Sequence, residues 1–77
     1  MNNKTTKNTL EKIKSLGGKI SYQRKKLNYS QNKLAEILDI SREHLAKIET
    51  AKRAVSLDLL INIANSLNVK VKDLIDF

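Results

Sequence analysis

The 77-residue chain is 40% hydrophobic, has no cysteine and one histidine, and carries a net charge of +7. A chain of this length forms one small domain that depends on side-chain packing, and its composition excludes a disulfide scaffold, thiol catalysis and the commonest zinc sites. It contains neither the ~20-residue apolar run of a membrane span nor the apolar segment of a secretory signal, so we expect a cytoplasmic protein that does not bind membranes.

Basic residues are concentrated at the beginning of the chain. Residues 1–33 contain nine Lys or Arg and one acidic residue, whereas residues 34–77 contain six basic and seven acidic residues. This division suggests a surface that faces a polyanion. A lysine-rich surface that only confers solubility is the alternative.

Residues 1–15 are predicted to form a basic, partly helical arm ahead of a domain formed by residues 16–77. Met1–Thr9 is polar and without periodicity, which is typical of a mobile terminus. Apolar residues then recur at every third position, enough for one or two helical turns: Leu10, Ile13 and Leu16. The arm is either an untethered end or a segment whose lysines follow DNA phosphates or enter a minor groove. These lysines are Lys4, Lys7, Lys12 and Lys14.

Apolar residues spaced three and four apart predict helices in the rest of the chain. The predicted helices cover about Gly18–Leu27, Gln31–Leu38, Arg42–Thr50, Leu57–Leu67 and Val71–Asp76. A serine precedes the second, third and fourth helices, where its hydroxyl can accept a hydrogen bond from a free N–H group. These N-cap residues are Ser30, Ser41 and Ser56.

The fourth predicted helix has apolar residues on more than one face. The face predicted to point inward comprises Leu57, Leu60, Ile61, Ala64 and Leu67. Leu59 and Ile63 fall outside this face and form a second, unassigned apolar strip. Asn68 is predicted to take the left-handed conformation that often follows a helix.

The stretch Gln31–Thr50 contains two short capped helices separated by the three residues Asp39–Ser41. Each helix has one apolar face, and the small Ala35 would let the two backbones approach closely. This arrangement predicts a helix-turn-helix.

The same stretch resembles the helix-turn-helix of the Cro/cI-type (XRE) family of DNA-binding regulators. The residues that carry the resemblance are Ser30-Gln31, Leu34-Ala35, Leu38, Ile40-Ser41, Ile48-Glu49 and Ser56-Leu57, within a match from about Leu16 to Leu74. It implies an all-α, five-helix, lambda-repressor-like domain that binds double-stranded DNA, with the motif in helices two and three and a short N-terminal extension. Family members generally bind pseudo-palindromic operators as homodimers, so the resemblance implies a homodimeric repressor.

The resemblance also implies an ion pair and shows two departures from the family pattern. Arg24 and Glu49 stand where the family usually has a partly buried pair that links helix one to helix three; Arg24 on a DNA phosphate is the alternative. Asp39 occupies a left-handed position that is usually glycine, at a cost of about 1 kcal/mol. Ala51 replaces another common glycine, so we expect helix three either to run on or to end without a left-handed cap.

A recognition helix reads base edges with the outward residues of its N-terminal half. Here those residues are Ser41, Arg42, Glu43, Ala46 and Lys47. Arg42 and Lys47 can donate to guanine and Glu43 can accept from cytosine, although Glu43 can instead pair with Lys47 on the helix surface. His44 is interpreted as a surface residue or phosphate neighbour rather than a metal ligand, because no second ligand stands at a suitable spacing.

Phosphate contacts are predicted around the two helix ends that would face the DNA backbone. The predicted residues are Ser30, Gln31, Lys33, Thr50, Lys52 and Arg53. For the lysines, ordinary solvated surface is the alternative.

The predicted dimer surface combines the unassigned strip with the C-terminus: Leu59, Ile63, Ile75 and Phe77. Scattered surface hydrophobics are the alternative there.

No catalytic set, phosphate loop, metal site or cofactor site is recognisable, so we expect a protein that is not an enzyme. The compact size and the Val55–Leu57 connection also resemble controller proteins of restriction–modification systems. The rival hypothesis is an antitoxin-type protein whose main role lies with a toxin or another regulatory protein.

Overall fold

The computed structural model describes residues 6–75, and all regular secondary structure in this part of the chain is helical. Four α-helices are followed by one turn of 3-10 helix. They are α1 (Lys7–Lys26), α2 (Gln31–Leu38), α3 (Arg42–Glu49), α4 (Leu57–Leu67) and the 3-10 turn Val71–Asp73. The predicted all-α fold with a helix-turn-helix is confirmed.

The fifth predicted helix is a shorter element than expected. Only Val71–Asp73 is helical, as a 3-10 turn, where a helix to Asp76 was predicted. The carboxylate of Asp73 accepts a hydrogen bond from the backbone N–H of Lys70 at 2.9 Å, which closes this single tight turn. Asp76 itself lies outside the described residues.

Helix α1 begins eleven residues before the predicted start at Gly18. Its N-cap is Thr6, whose hydroxyl accepts from the backbone N–H of Thr9 at 3.0 Å, so Lys7–Thr9 is helical and not a mobile arm. The predicted boundary at residue 16 lies inside this helix, while Met1–Thr5 lies outside the described residues. Two central glycines each cost about 1 kcal/mol relative to alanine. The helix nevertheless continues because the apolar residues before and after them lie on one face.

One apolar core joins the helices. Its buried members are Leu16, Ile20, Leu34, Ala35, Leu38, Leu45, Ile48, Leu60, Ile63, Ala64, Leu67 and Leu74. Helix α2 packs against α3 and α4, and α1 packs against α3 and α4. The residues just before the three serine caps, Tyr29, Ile40 and Val55, pack against this core as well. They anchor the start of each following helix.

The inward face of α4 differs from the predicted one. Ile63 is fully buried, whereas Leu57 and Ile61, both predicted to face inward, are 70% and 43% exposed. Leu59 is partly buried against the core. Because α4 is apolar around most of its circumference, periodicity alone could not decide between two overlapping faces. The helices packed around α4 select the face that contains Ile63.

Each of the four α-helices is followed, within two residues, by a left-handed residue that is not glycine. These residues are Asn28, Asp39, Ala51 and Asn68, with φ angles of 58–61°. After α3, the backbone N–H of Lys52 donates to the carbonyl of Lys47 at 2.8 Å and that of Ala51 donates to Ile48 at 3.2 Å. This pair of bonds defines the Schellman motif. Helix α3 was expected either to run on or to end without a left-handed cap. Both alternatives were wrong, because α3 ends at Glu49 and the motif forms despite the Cβ of Ala51.

Candidate nucleic-acid interface

The turn between α2 and α3 is built from a left-handed residue and a serine cap. Asp39 takes φ 58° and ψ 44°, and the N–H of Ile40 donates to the carbonyl of Ala35 at 3.0 Å. Ser41 then accepts from the N–H of His44 at 3.0 Å and begins α3. Since Leu45 and Ile48 are buried, the rotation of α3 about its axis is fixed and its opposite face points to solvent.

The outward face of α3 carries the residues that the sequence assigns to base contacts. Ser41, Arg42, Glu43 and Lys47 are exposed and Ala46 is half-buried. The Nζ of Lys47 lies 3.8 Å from Oε2 of Glu43, so these two residues, one helical turn apart, form an exposed ion pair. Such a pair contributes a few tenths of a kcal/mol. DNA can therefore separate its two members at little cost.

The residues assigned to phosphate contacts lie at the N-terminus of α2 and beyond the C-terminus of α3. Ser30 caps α2 by accepting from the N–H of Lys33 at 3.0 Å, and the side chain of Lys33 lies 3.5 Å from that of Glu36. The hydroxyl of Thr50 donates to the carbonyl of Ala46 at 2.8 Å. Lys52 and Arg53 are exposed in the connection that follows.

A buried network ties α1 to the end of α3. Arg24 Nε donates to Glu49 Oε2 at 2.7 Å and Arg24 Nη2 donates to Glu49 Oε1 at 3.0 Å. The third nitrogen, Nη1, donates to the carbonyl of Tyr29 at 2.8 Å. Both charged side chains are almost fully buried, with 9% and 4% exposed. Arg24 thus holds the α1–α2 connection and α3 at once, and it is not available to a phosphate.

Gln31 makes a contact that the sequence did not reveal. Its Nε2 donates to Glu49 Oε1 at 3.0 Å. An amide nitrogen has two hydrogens, so one N–H of Gln31 remains to donate to another acceptor. The first position of a helix attracts anions, and the bond to Glu49 holds the Gln31 side chain in place there.

Other kinds of site find no support in residues 6–75. No cluster of three or more potential metal ligands occurs among them, and His44 is a half-buried member of α3. None of the helices in this range has the length and apolarity that a membrane crossing requires.

The residues predicted to form a dimer surface are not all exposed. Ile63 is in the core, Leu59 is partly buried, and Ile75 is exposed. Phe77 lies outside the described residues. The exposed apolar residues of α4 are instead Leu57 and Ile61, which are one helical turn apart.

Comparison with known proteins identifies the architecture. The helix-turn-helix family model HTH_3 matches residues 20–74, most of the chain. The chain belongs to the Cro/cI-type (XRE) helix-turn-helix family. Control protein C.BamHI of Bacillus amyloliquefaciens is 46% identical over 52 residues, which cover 68% of this chain and 64% of that protein. The chain thus aligns with less than two thirds of its relative's length.

Solved structures of two regulators resemble this helix-turn-helix protein. The clp gene regulator ClgR of Corynebacterium glutamicum superposes with a TM-score of 0.79 at 25% identity, covering 82% of this chain and 67% of its own. The restriction-modification controller protein C.AhdI of Aeromonas hydrophila gives 0.76 at 25% identity, covering 83% of this chain and 96% of its own. Together with the family match, these likenesses show that this chain has the helix-turn-helix fold of these two regulators.

Proposed function

We propose that the chain is a cytoplasmic, homodimeric repressor that reads a pseudo-palindromic operator in the major groove, and that it serves as the controller protein of a restriction–modification system. The proposal that the chain reads DNA rests on the way in which α3 is held at the surface. Its N-terminal half exposes Arg42, Glu43 and Lys47 while Leu45 and Ile48 anchor its other face in the core. The 46% identity to C.BamHI and the likeness to C.AhdI support the controller role.

The chemistry of the exposed face favours G·C-containing half-sites. An arginine can donate two parallel hydrogen bonds to guanine O6 and N7, and a carboxylate can accept from cytosine N4. Arg42 and Glu43 are adjacent at the start of α3, and the half-buried methyl group of Ala46 can contact a thymine methyl one turn further on. We therefore assign Arg42 to a guanine, with Glu43 and Lys47 reading neighbouring positions.

Backbone contacts would fix the register of α3 in the groove. Gln31 offers an oriented N–H at the start of α2, and Lys52 and Arg53 add exposed positive charge after α3. Ser30, Lys33 and Thr50 lie beside these two clusters. In this proposal residues 16–77 form the DNA-binding unit, and Lys7 and Lys14 at the start of α1 add non-specific attraction.

A second copy of the chain is the partner proposed for the exposed apolar face of α4. One recognition helix covers about half of an operator, so a two-fold dimer doubles the sequence that is read. Leu57 and Ile61 are exposed one turn apart on α4, and Ile75 is exposed beyond the 3-10 turn. The proposed dimer patch therefore consists of these three residues. It keeps Ile75 from the predicted patch, and Leu57 and Ile61 take the place of Leu59 and Ile63.

Selection from a randomised duplex pool, sequenced at two salt concentrations, tests the proposal. We expect an inverted repeat with half-site centres about 10 bp apart. Arg42→Ala should relax one position of each half-site and weaken binding by ~1–3 kcal/mol. Arg53→Ala is the matched control, since it removes an arginine that is also exposed. It should weaken binding to all sequences alike and reduce the slope of log K against log salt by about 1.

Weak binding that depends steeply on salt and selects no consensus would overturn the operator-reading proposal. The basic half of the chain would then be a non-specific anchor, and the main partner would be a protein such as a toxin.

A further inference from the structure

Helix α1 touches the end of the recognition helix through a glycine backbone. Gly17 is buried. A Cβ at this position would lie 2.6 Å from the carbonyl oxygen of Glu49 and 2.7 Å from that of Ile48, where ordinary van der Waals contact begins at 3.4 Å. The obstructing atoms belong to the backbone of α3, so no side-chain rotation can relieve the clash. Restoring ordinary contact would lengthen the 2.6 Å distance to 3.4 Å, a change of 0.8 Å that the two backbones must accommodate.

This contact adds to the packing of α1 against α3 in the core and to the ion pair of Arg24 with the carboxylate of Glu49. Gly17 and Arg24 are seven residues apart on α1, two turns or about 10 Å, and both meet the last turn of α3, at the carbonyls of Ile48 and Glu49 and at the carboxylate of Glu49. They therefore fix the position of the C-terminal end of α3 against α1. Because α2 packs against α3 as well, a displacement of that end changes the direction of α3. The direction of α3 in turn sets where the side chains of its first turn meet the DNA.

We propose that Gly17 is a positioning residue for base recognition, which fixes the angle of α3 by allowing the α1 backbone to contact its last carbonyls. The side chains of a binding site must be held within about 0.5 Å of their working positions. This tolerance is smaller than the shift that a Cβ at Gly17 imposes. This inference rests on the proposed reading of an operator by α3. It adds a residue outside the helix-turn-helix, and outside residues 20–74 that match the family model.

The neighbouring glycine supplies a matched control. Gly18 is exposed, and a Cβ built there meets no atom within 4 Å. Gly17→Ala and Gly18→Ala add the same methyl group to the same helix, and both raise its intrinsic helix propensity. Only the first change disturbs the contact with α3.

Equilibrium binding to two duplexes of equal length tests the inference: the inverted repeat selected by the unmodified protein, and a random-sequence duplex. Gly17→Ala should weaken binding to the selected repeat by about tenfold or more, the scale of one lost base contact. Its binding to random duplex should stay within about twofold, because charge dominates that interaction. Gly18→Ala should change neither. Circular dichroism at the binding temperature confirms that each variant is folded.

Each other outcome contradicts the inference. Equal affinity of Gly17→Ala and Gly18→Ala for the selected repeat shows that the angle of α3 does not depend on Gly17. An equal loss of affinity for both duplexes indicates that Gly17→Ala impairs the DNA-binding surface in general and not base recognition. If the Gly17→Ala variant is unfolded, the substitution is made again in protein that already carries Gly18→Ala. If that double variant is unfolded too, Gly17 is needed for stability and its role in positioning α3 is contradicted. Failure of the unmodified protein to select any repeat overturns the proposed function instead, before a variant is made.

Discussion

The carboxylate of Glu49 accepts hydrogen bonds from two side chains, Arg24 and Gln31, in a place almost closed to water. A buried charge that loses its partner costs far more than an exposed one, because its desolvation is no longer compensated. The network therefore couples the stability of the domain to the geometry of α3.

Arg24→Met should destabilise the protein by ~3–5 kcal/mol, since it leaves the Glu49 carboxylate buried without its counter-charge. The double variant Arg24→Met with Glu49→Leu should recover much of that loss. Chemical denaturation followed by circular dichroism measures both. The control is Lys33→Ala, which breaks an exposed pair with Glu36 and should cost no more than about 0.5 kcal/mol. Equal losses for Arg24→Met and Lys33→Ala would contradict this account.

Ala51 is the least suited of the four left-handed residues, because asparagine and aspartate tolerate that conformation better than alanine does. Ala51→Gly should stabilise the domain by about 1 kcal/mol. The same substitution within α3, Ala46→Gly, should destabilise it by about 1 kcal/mol, since glycine is unfavourable inside a helix. Thermal unfolding should move the two melting temperatures in opposite directions, and a shift of the same sign for both would argue against strain at Ala51.

At the scale of elements, serine caps and apolar spacing were sufficient to predict α2, α3 and the start of α4. The signals are local: Ser30, Ser41 and Ser56 each accept a hydrogen bond from the N–H three residues later. The length of α1 could not be predicted in the same way, because Gly17 has no local signature that distinguishes a close helix contact from a break. That distinction depends on α3, which is distant in sequence.

The N-terminus of α4 adds a pH-dependent contribution. The hydroxyl of Ser56 and then the backbone N–H of Leu59 hold the pKa of the Asp58 carboxyl below its usual 3.8. A lowered pKa in the folded state stabilises the protein above pH 3.8, and this contribution disappears as the pH falls through the folded-state pKa.

Asp58→Asn should therefore lower the melting temperature at pH 7, with a difference from the unmodified protein that closes as the pH falls below 3.8. Thermal melts of both proteins between pH 7 and pH 2 give this difference directly, because groups common to both cancel. A difference that stays constant over the whole range would rule out the charge as its source.

For the whole molecule, the sequence predicted which helices form but not which face of α4 would remain outside. Ile61 and Ile63 are both apolar and both near the middle of that helix, yet one is exposed and the other fully buried. The choice depends on how α4 fits against three other elements at once. The dimer patch predicted from the sequence therefore included Ile63, which is buried in the core.

Ile61→Lys should shift the association equilibrium towards monomer, because it places a charge in the proposed apolar interface. Ile37→Lys is the control, since Ile37 on α2 is also 43% exposed and acquires the same charge outside the patch. Sedimentation equilibrium without DNA measures both. We expect a weaker dimer for Ile61→Lys alone, and an unchanged dimer in both variants would remove α4 from the interface.

The four left-handed helix ends have a consequence for how much of this protein a cell contains. They lie at the ends of four different helices, so substitutions that relieve their strain should add nearly independently. A change of about 1–2 kcal/mol in a domain that has only 5–15 kcal/mol of stability alters cellular abundance several-fold. None of the four is among the proposed base-facing residues. Dosage can therefore be adjusted at these positions without rewriting the sequence that the protein reads.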